Sequence, residues 1–330
     1  MKLLSQTLVA FSASLLIACG GDVQVSQAAE TSADITIPDA YPDVPMASGD
    51  LAGLYKNAGE ESAVVLIIPG SGPTDLNGNN ASGGQSNSYK YLAEGLAENA
   101  ISSVRVDKRG MFSSAAAGDP NQVTAEIYAQ DYSDWVNTIR AETGADCVYI
   151  LGHSEGAMMG SAAALVNKNV CGLILVSGAG RPLGDVLREQ LKANPANRTI
   201  LKEAFEIIEK LEQGKRVPTS NMNRALRRSL FPAEIQDFWI STLKIDPAML
   251  AKAANKKTLV IQGETDLQTS IEDAKRLAEA TGGKLVLLPG VNHVLKEAPM
   301  NRRKNFKTYN QPDVPISPAV GEAIATFVVG

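Results

Sequence analysis

Two histidines and three cysteines are all that 330 residues provide of the side chains that most readily hold transition metals. They are scattered along the chain, with no Cys or His cluster to supply a ligand set, so neither a metal nor another cofactor is expected. Positive charge is not in excess. The 31 Lys and Arg against 36 Asp and Glu leave a formal net charge of −5. Nucleic acid is therefore not an expected partner, because its phosphates need clustered cations. Past the first twenty residues no apolar run is long enough to span a bilayer, and no internal repeat stands out. What remains is 44% hydrophobic and 20% charged, the composition of a globular chain with one substantial core and an appended element.

The opening MKLLSQTLVAFSASLLIAC places Lys2 before a short apolar stretch. That stretch is too short and poorly flanked for a spanning helix and reads as a secretory signal. Its ending, Leu16-Ile17-Ala18-Cys19, resembles a bacterial lipobox, in which the cysteine is diacylated and the preceding peptide, residues 1–18, is removed. Gly20 rather than Asp after the cysteine favours the outer membrane, by resemblance to enterobacterial lipoproteins. The expectation is an envelope protein held to the membrane through Cys19, with a polar, aperiodic tether over residues 19–44. Export would also make a disulfide available to Cys147 and Cys171. Each opens an apolar run, and if those runs are neighbouring parallel strands, the two sulfurs lie at one edge of the sheet. A bridge would close a loop of about 25 residues, worth roughly 3.5 kcal/mol in the chain-entropy model; two buried free thiols are the alternative.

Short apolar runs recur with helical stretches between them. AVVLIIPG (63–70), ISSVRVD (101–107), CVYILG (147–152), CGLILVSGAG (171–180), KTLVIQG (257–263) and KLVLLPG (284–290) read as strands. Residues 89–100, 124–144, 155–168, 271–283 and 317–330 read as helices. Nearly continuous apolar strands alternating with helices predict an α/β core with a parallel sheet covered on both faces, over 45–180 and 256–330. Residues 181–255 contain no strand-like run and read as a helical cap over the sheet, or alternatively as a helical domain with no catalytic part. Its Phe205, Phe231, Phe238, Trp239, Leu243 and Met249 either line an acyl pocket or form the cap's own small core.

The chemistry centres on VYILGHSEGAMMG, residues 148–160. An apolar strand runs through Gly152-His153-Ser154-Glu155-Gly156 into a small-residue helix, the form of a nucleophile elbow, in which a sharp turn exposes a serine hydroxyl. Ser154 then needs a base. His153 diverges from its neighbour on so tight a turn and reads as structural; His293, on the loop after the last predicted strand, is the candidate base. A carboxylate must orient the imidazole. Asp266 lies beyond the strand ending at Gly263, with Glu264 as the local competitor. Two backbone N–H groups are needed for the oxyanion: that of Glu155, at a helix N-terminus, and that of Ser71, in the glycine-rich loop after the first strand.

PGSGPTDLNGN (69–79), VDKRG with the following Ser113, YAQDYSDWV (128–136), GHSEGA, SGAGRPL, QGETDLQ and NHVLK occur in this order from about residue 45 to the end. Together they resemble the α/β-hydrolases of the bacterial carboxylesterase and serine-aminopeptidase-like group. The resemblance implies the α/β-hydrolase fold: a mostly parallel central sheet, helices on both faces and a helical cap insertion. It also implies Ser154, Asp266 and His293 as catalytic and Ser71 and Glu155 at the oxyanion hole. Pro69-Gly70 departs from the family's frequent His-Gly in the first loop. The expected activity is hydrolysis of a small-molecule carboxylic ester through an acyl-enzyme. An aminopeptidase-like peptidase and a thioesterase use the same triad, and a non-catalytic binding lipoprotein is the alternative from another class. The cap has no evident acidic cluster to hold a substrate amino terminus.

Overall fold

In a computed structural model the described residues are 41–80 and 84–330. The signal peptide, Cys19 and the tether as far as residue 40 lie outside them. Eight strands form a single sheet in the order β1-β2-β4-β3-β5-β6-β7-β8. Here β1 is Asp43–Ser48, β2 Leu51–Lys56, β3 Val64–Ile68, β4 Ser102–Val106, β5 Val148–His153, β6 Val170–Val176, β7 Lys257–Gly263 and β8 Lys284–Leu288. Every pairing from β4 through β8 is parallel, whereas β1 pairs antiparallel with β2 and β2 antiparallel with β4.

The six apolar runs read from the sequence are β3 to β8. Residues buried on both sheet faces leave continuous hydrophobic segments, as in β3, where all five residues are buried. The β1–β2 hairpin gives no such signal. Strand β1 is DVPMAS, largely exposed and carrying Pro45, the composition of a sheet edge. It opens at Asp43, two residues inside the stretch read as tether. The Asp43 carboxylate holds it there by pairing with two almost fully buried cations, Lys56 at 3.4 Å and Arg105 at 2.5 Å.

Helices α1 (Ser88–Glu98) and α10 (Pro318–Val328) cover one face; α2 (Ala125–Thr143), α3 (Glu155–Val166), α7 (Pro247–Ala254) and α8 (Ile271–Thr281) cover the other. Between β6 and α7 the chain leaves the sheet to build α4 (Leu183–Ala193), α5 (Leu201–Glu212) and α6 (Gln236–Thr242). Helix α7 falls inside the stretch read as cap, yet it packs against α3 and α8 on the flank of the sheet. Asp246 starts it by accepting the N–H groups of Ala248 and Met249, and Pro247 supplies a preset first-turn φ. A further short helix, α9 (Arg302–Lys307), lies between β8 and α10, where the sequence pattern gave no helix. Cys147 and Cys171 are joined by a disulfide, their Cα atoms 5.3 Å apart where β5 and β6 begin. No helix among the described residues is long and apolar enough to cross a membrane.

Candidate active site

Loops at the carboxyl ends of β3, β5, β7 and β8 converge, the position at which open parallel sheets form binding crevices. Strand β5 turns into α3 at Ser154, which takes φ 55° and ψ −119°, a left-handed backbone unusual for a residue with a side chain. Its N–H is held by the Val176 carbonyl at 2.9 Å. The flanking glycines permit the turn. A Cβ on Gly152 would lie 2.1 Å from the Gly156 carbonyl oxygen, and one on Gly156 would lie 2.5 Å from that of Ile68.

His293 follows β8, and its Nδ1 is 2.7 Å from Asp266 Oδ2. The imidazole is 6% and the carboxylate 0% exposed, so the pair is shielded from water. Burial by itself would raise the Asp266 pKa. The adjoining His293 and the N–H groups of Gln268 and Thr269, donating at 2.7 and 3.1 Å, outweigh it and hold the pKa below its ordinary value. Asp266 is thus an acceptor, Nδ1 of His293 carries the proton it donates, and Nε2 is left as a base. Glu264, the competing carboxylate, is exposed; its backbone N–H bonds to Leu288.

Ser154 and His293 line one cavity of about 530 Å³, together with Gly70 and Ser71 of the loop after β3. Ser71, Ser154 and Glu155, the candidate nucleophile and the two residues whose N–H groups are expected to bind an oxyanion, also line one much smaller recess. Tyr89, Lys108 and the Glu155 side chain, to which the sequence reading gave no role, secure this loop. Lys108 Nζ donates to the Gly70 carbonyl at 2.7 Å. The Ser71 hydroxyl, near the Glu155 carboxylate, lowers the carboxylate's pKa against the effect of burial. Desolvation raises the Glu155 pKa and lowers that of Lys108, each opposed by the other's charge.

His153 completes the frame. The Gly70 N–H donates to Tyr89 Oη at 2.9 Å, Tyr89 Oη lies 2.8 Å from His153 Nδ1, and His153 Nε2 lies 2.8 Å from the backbone carbonyl of His293. A carbonyl only accepts, so Nε2 carries the hydrogen, Nδ1 accepts, and Tyr89 is the donor between them. The sequence reading of His153 as structural thus acquires a specific content: it ties the loop after β3, the candidate oxyanion loop, to the backbone of the candidate base. Burial, and then the nearby His293, push its pKa down from 6.5 to about 3, which keeps this imidazole neutral. In the sequence the only trace of Tyr89 is its place in the first turn of a helix, which does not show that the turn faces the elbow.

The far wall of the cavity comes from residues 294–310, including Arg302, Arg303, Phe306 and Tyr309. Among the described residues no group of three or more His, Cys, Asp and Glu is arranged to hold a metal ion.

Residues 81–230 match the family described as Serine aminopeptidase, S33. Over 272 residues the chain is 27% identical to Esterase EstD of Thermotoga maritima, covering 79% of this chain and 62% of that protein's length. Est1E from Butyrivibrio proteoclasticus superposes with a TM-score of 0.53 at 16% identity, over 87% of this chain and 99% of Est1E. A lipase-esterase related protein from Clostridium acetobutylicum gives a TM-score of 0.51 at 15% identity, over 84% and 99% of the two chains.

Proposed function

We propose that this chain, which has the α/β-hydrolase fold, is a serine hydrolase that cleaves small-molecule carboxylic esters. One observation carries the reading: Ser154, on a strained elbow, shares a cavity with His293, whose Nδ1 is bonded to the buried Asp266 carboxylate. In the proposed reaction Ser154 Oγ attacks the ester carbonyl as His293 Nε2 takes its proton. The Ser71 and Glu155 N–H groups stabilise the oxyanion, at the positive end of α3. Collapse expels the alcohol, which takes the proton back from His293, and water deacylates the enzyme by the same base. The neutral His153 and ionised Asp266 keep proton traffic on a single imidazole.

The likeness to an esterase supports an ester substrate, whereas the matched family is described as an aminopeptidase. A substrate α-ammonium needs a carboxylate near the nucleophile, and the cavity lining contains arginines and no Asp or Glu. That favours the ester. A p-nitrophenyl ester series beside an aminoacyl p-nitroanilide tests the choice. Ester turnover should fall by about 10⁶-fold in Ser154→Ala; turnover of the anilide alone would replace this reading with the peptidase.

Localisation belongs to the same proposal and rests on the sequence ending at Cys19. A lipid anchor there would hold the enzyme at the bacterial envelope, in the outer membrane. Radiolabelled palmitate should enter the wild type and be absent from Cys19→Ser; label in both would refute the anchor.

A further inference from the structure

The cavity beside Ser154 is electrostatically one-sided. Two guanidinium groups, Arg302 and Arg303 of α9, stand on its wall, and no carboxylate lines it. No ion pair joins either arginine to an Asp or Glu among the described residues. Other arginines are paired closely, among them Arg109 with Asp131, Arg181 with Asp273 and Glu189, Arg188 with Glu212, and Arg276 with Asp246, while Arg198, Arg224, Arg227 and Arg228 lie outside this cavity. Both arginines are exposed, and on the wall of a cavity without a carboxylate they offer an anionic ligand two cations and no opposing charge.

This wall is tied into the catalytic loops. Arg302 lies over the Phe306 ring, 4.8 Å from its centroid, and Phe306 packs on Tyr309 at 5.1 Å. Tyr309 Oη accepts from Gln268 Nε2 at 3.0 Å, while the Gln268 N–H donates to Asp266. Asn305, in the middle of α9, is fully buried and donates to the Thr265 and Pro299 carbonyls at 2.8 and 3.0 Å. The helix that carries the arginines is therefore fixed to the loop that carries Asp266. The backbone that carries both arginines, and Arg302 through its contact with Phe306, is set before a ligand arrives, which lowers the ordering cost of binding.

The geometry points to an ester that carries its own anionic group, a carboxylate or a chemically equivalent oxyanion, bound by Arg302 and Arg303 while Ser154 attacks the ester carbonyl. Guanidinium forks suit such groups through paired, charge-assisted hydrogen bonds. This rests on the esterase reading above and narrows its substrate class.

Two matched pairs of substrates test it with the purified mature protein. Mono-4-nitrophenyl glutarate against 4-nitrophenyl valerate places the carboxylate on the acyl side; 4-acetoxybenzoate against 4-tolyl acetate places it on the leaving group. In at least one pair the anionic member should have the higher kcat/KM, by about tenfold. The preference should shrink with added salt, fall to about parity in Arg302→Gln/Arg303→Gln, and invert in Arg302→Glu/Arg303→Glu. Neutral esters turned over with no anionic preference in either pair, or a preference the folded Gln variant leaves unchanged, would overturn this inference and leave the esterase reading standing. Turnover of none of the four esters would overturn both.

Discussion

Two segments cover the carboxyl ends of the strands, and they do so in different ways. The larger, from α4 to α6, is held by a core of its own: Trp239 and Phe231 are completely buried, and Trp239 Nε1 donates to the Leu230 carbonyl. Its Phe238 and Trp239 line a recess of about 50 Å³ with Tyr128 and Glu155, and Leu183, Val186 and Gln190 of α4 line the still smaller recess that Ser154 shares. The smaller, residues 294–310, has little apolar core and yet supplies the far wall of the 530 Å³ cavity. The smaller segment thus supplies more of the large cavity's lining than the cap does. The cap spends most of its apolar residues on folding itself, whereas the short segment borrows rigidity from hydrogen bonds to the loop that carries Asp266 and presents polar and aromatic groups.

Trp239→Ala and Phe306→Ala would test that division directly. Truncating the buried tryptophan should cost about 3–5 kcal/mol in urea unfolding, with little change in the ratio of rates across an ester series. Truncating the half-buried phenylalanine should cost less than about 1.5 kcal/mol and change that ratio. The reverse pattern would make the cap the specificity element.

Acid should also separate the two segments. The native pKa of His153, about 3, lies below its ordinary 6.5, so the unfolded chain binds a proton that the native state refuses. Its contribution is fully present above pH 6.5 and is lost as pH falls toward 3. By about pH 4.5 the loss should be about 3 kcal/mol. Asp266 and Asp273 have depressed pKa values, Asp273 because Arg181 outweighs its burial, and both start from 3.8. Their contributions go only at lower pH still. The cap contains no histidine. Hydrogen exchange at about pH 4.5 should therefore show protection lost first at the elbow and the His293 loop, and retained in α5 and α6. Early loss in the cap would refute the assignment.

A smaller effect is expected for Tyr89→Phe, which leaves the Gly70 N–H and His153 Nδ1 without their shared partner. It should cost about 1–3 kcal/mol and lower kcat more than it raises KM, because the oxyanion loop and the His293 backbone lose their link. A variant with full kcat and reduced stability would make the link purely structural.

The sheet was legible where its strands are buried on both faces, as in AVVLIIPG and KTLVIQG, because continuous apolar runs have few other uses. The β1–β2 hairpin was not, since an edge strand held by ion pairs leaves no hydrophobic pattern. Ser154, Asp266 and His293 could be proposed from sequence because a sharp elbow demands glycines at fixed offsets, and because a chain with two histidines offers few bases. Phe231, Trp239 and Leu243 could be read either as pocket lining or as cap core, since periodicity shows that a residue is buried without showing what it faces.

The sequence by itself therefore determined the strand–helix rhythm, the elbow and the candidate triad, all of them local patterns set by chain geometry and residue type. Only the tertiary structure decided that Tyr89 and His153 bridge the loop after β3 to His293, that α7 belongs to the sheet's flank, and that Arg302 and Arg303 line the cavity. Those are contacts between segments distant in the chain, and their partners are chosen by packing in three dimensions, of which a one-dimensional pattern carries no record.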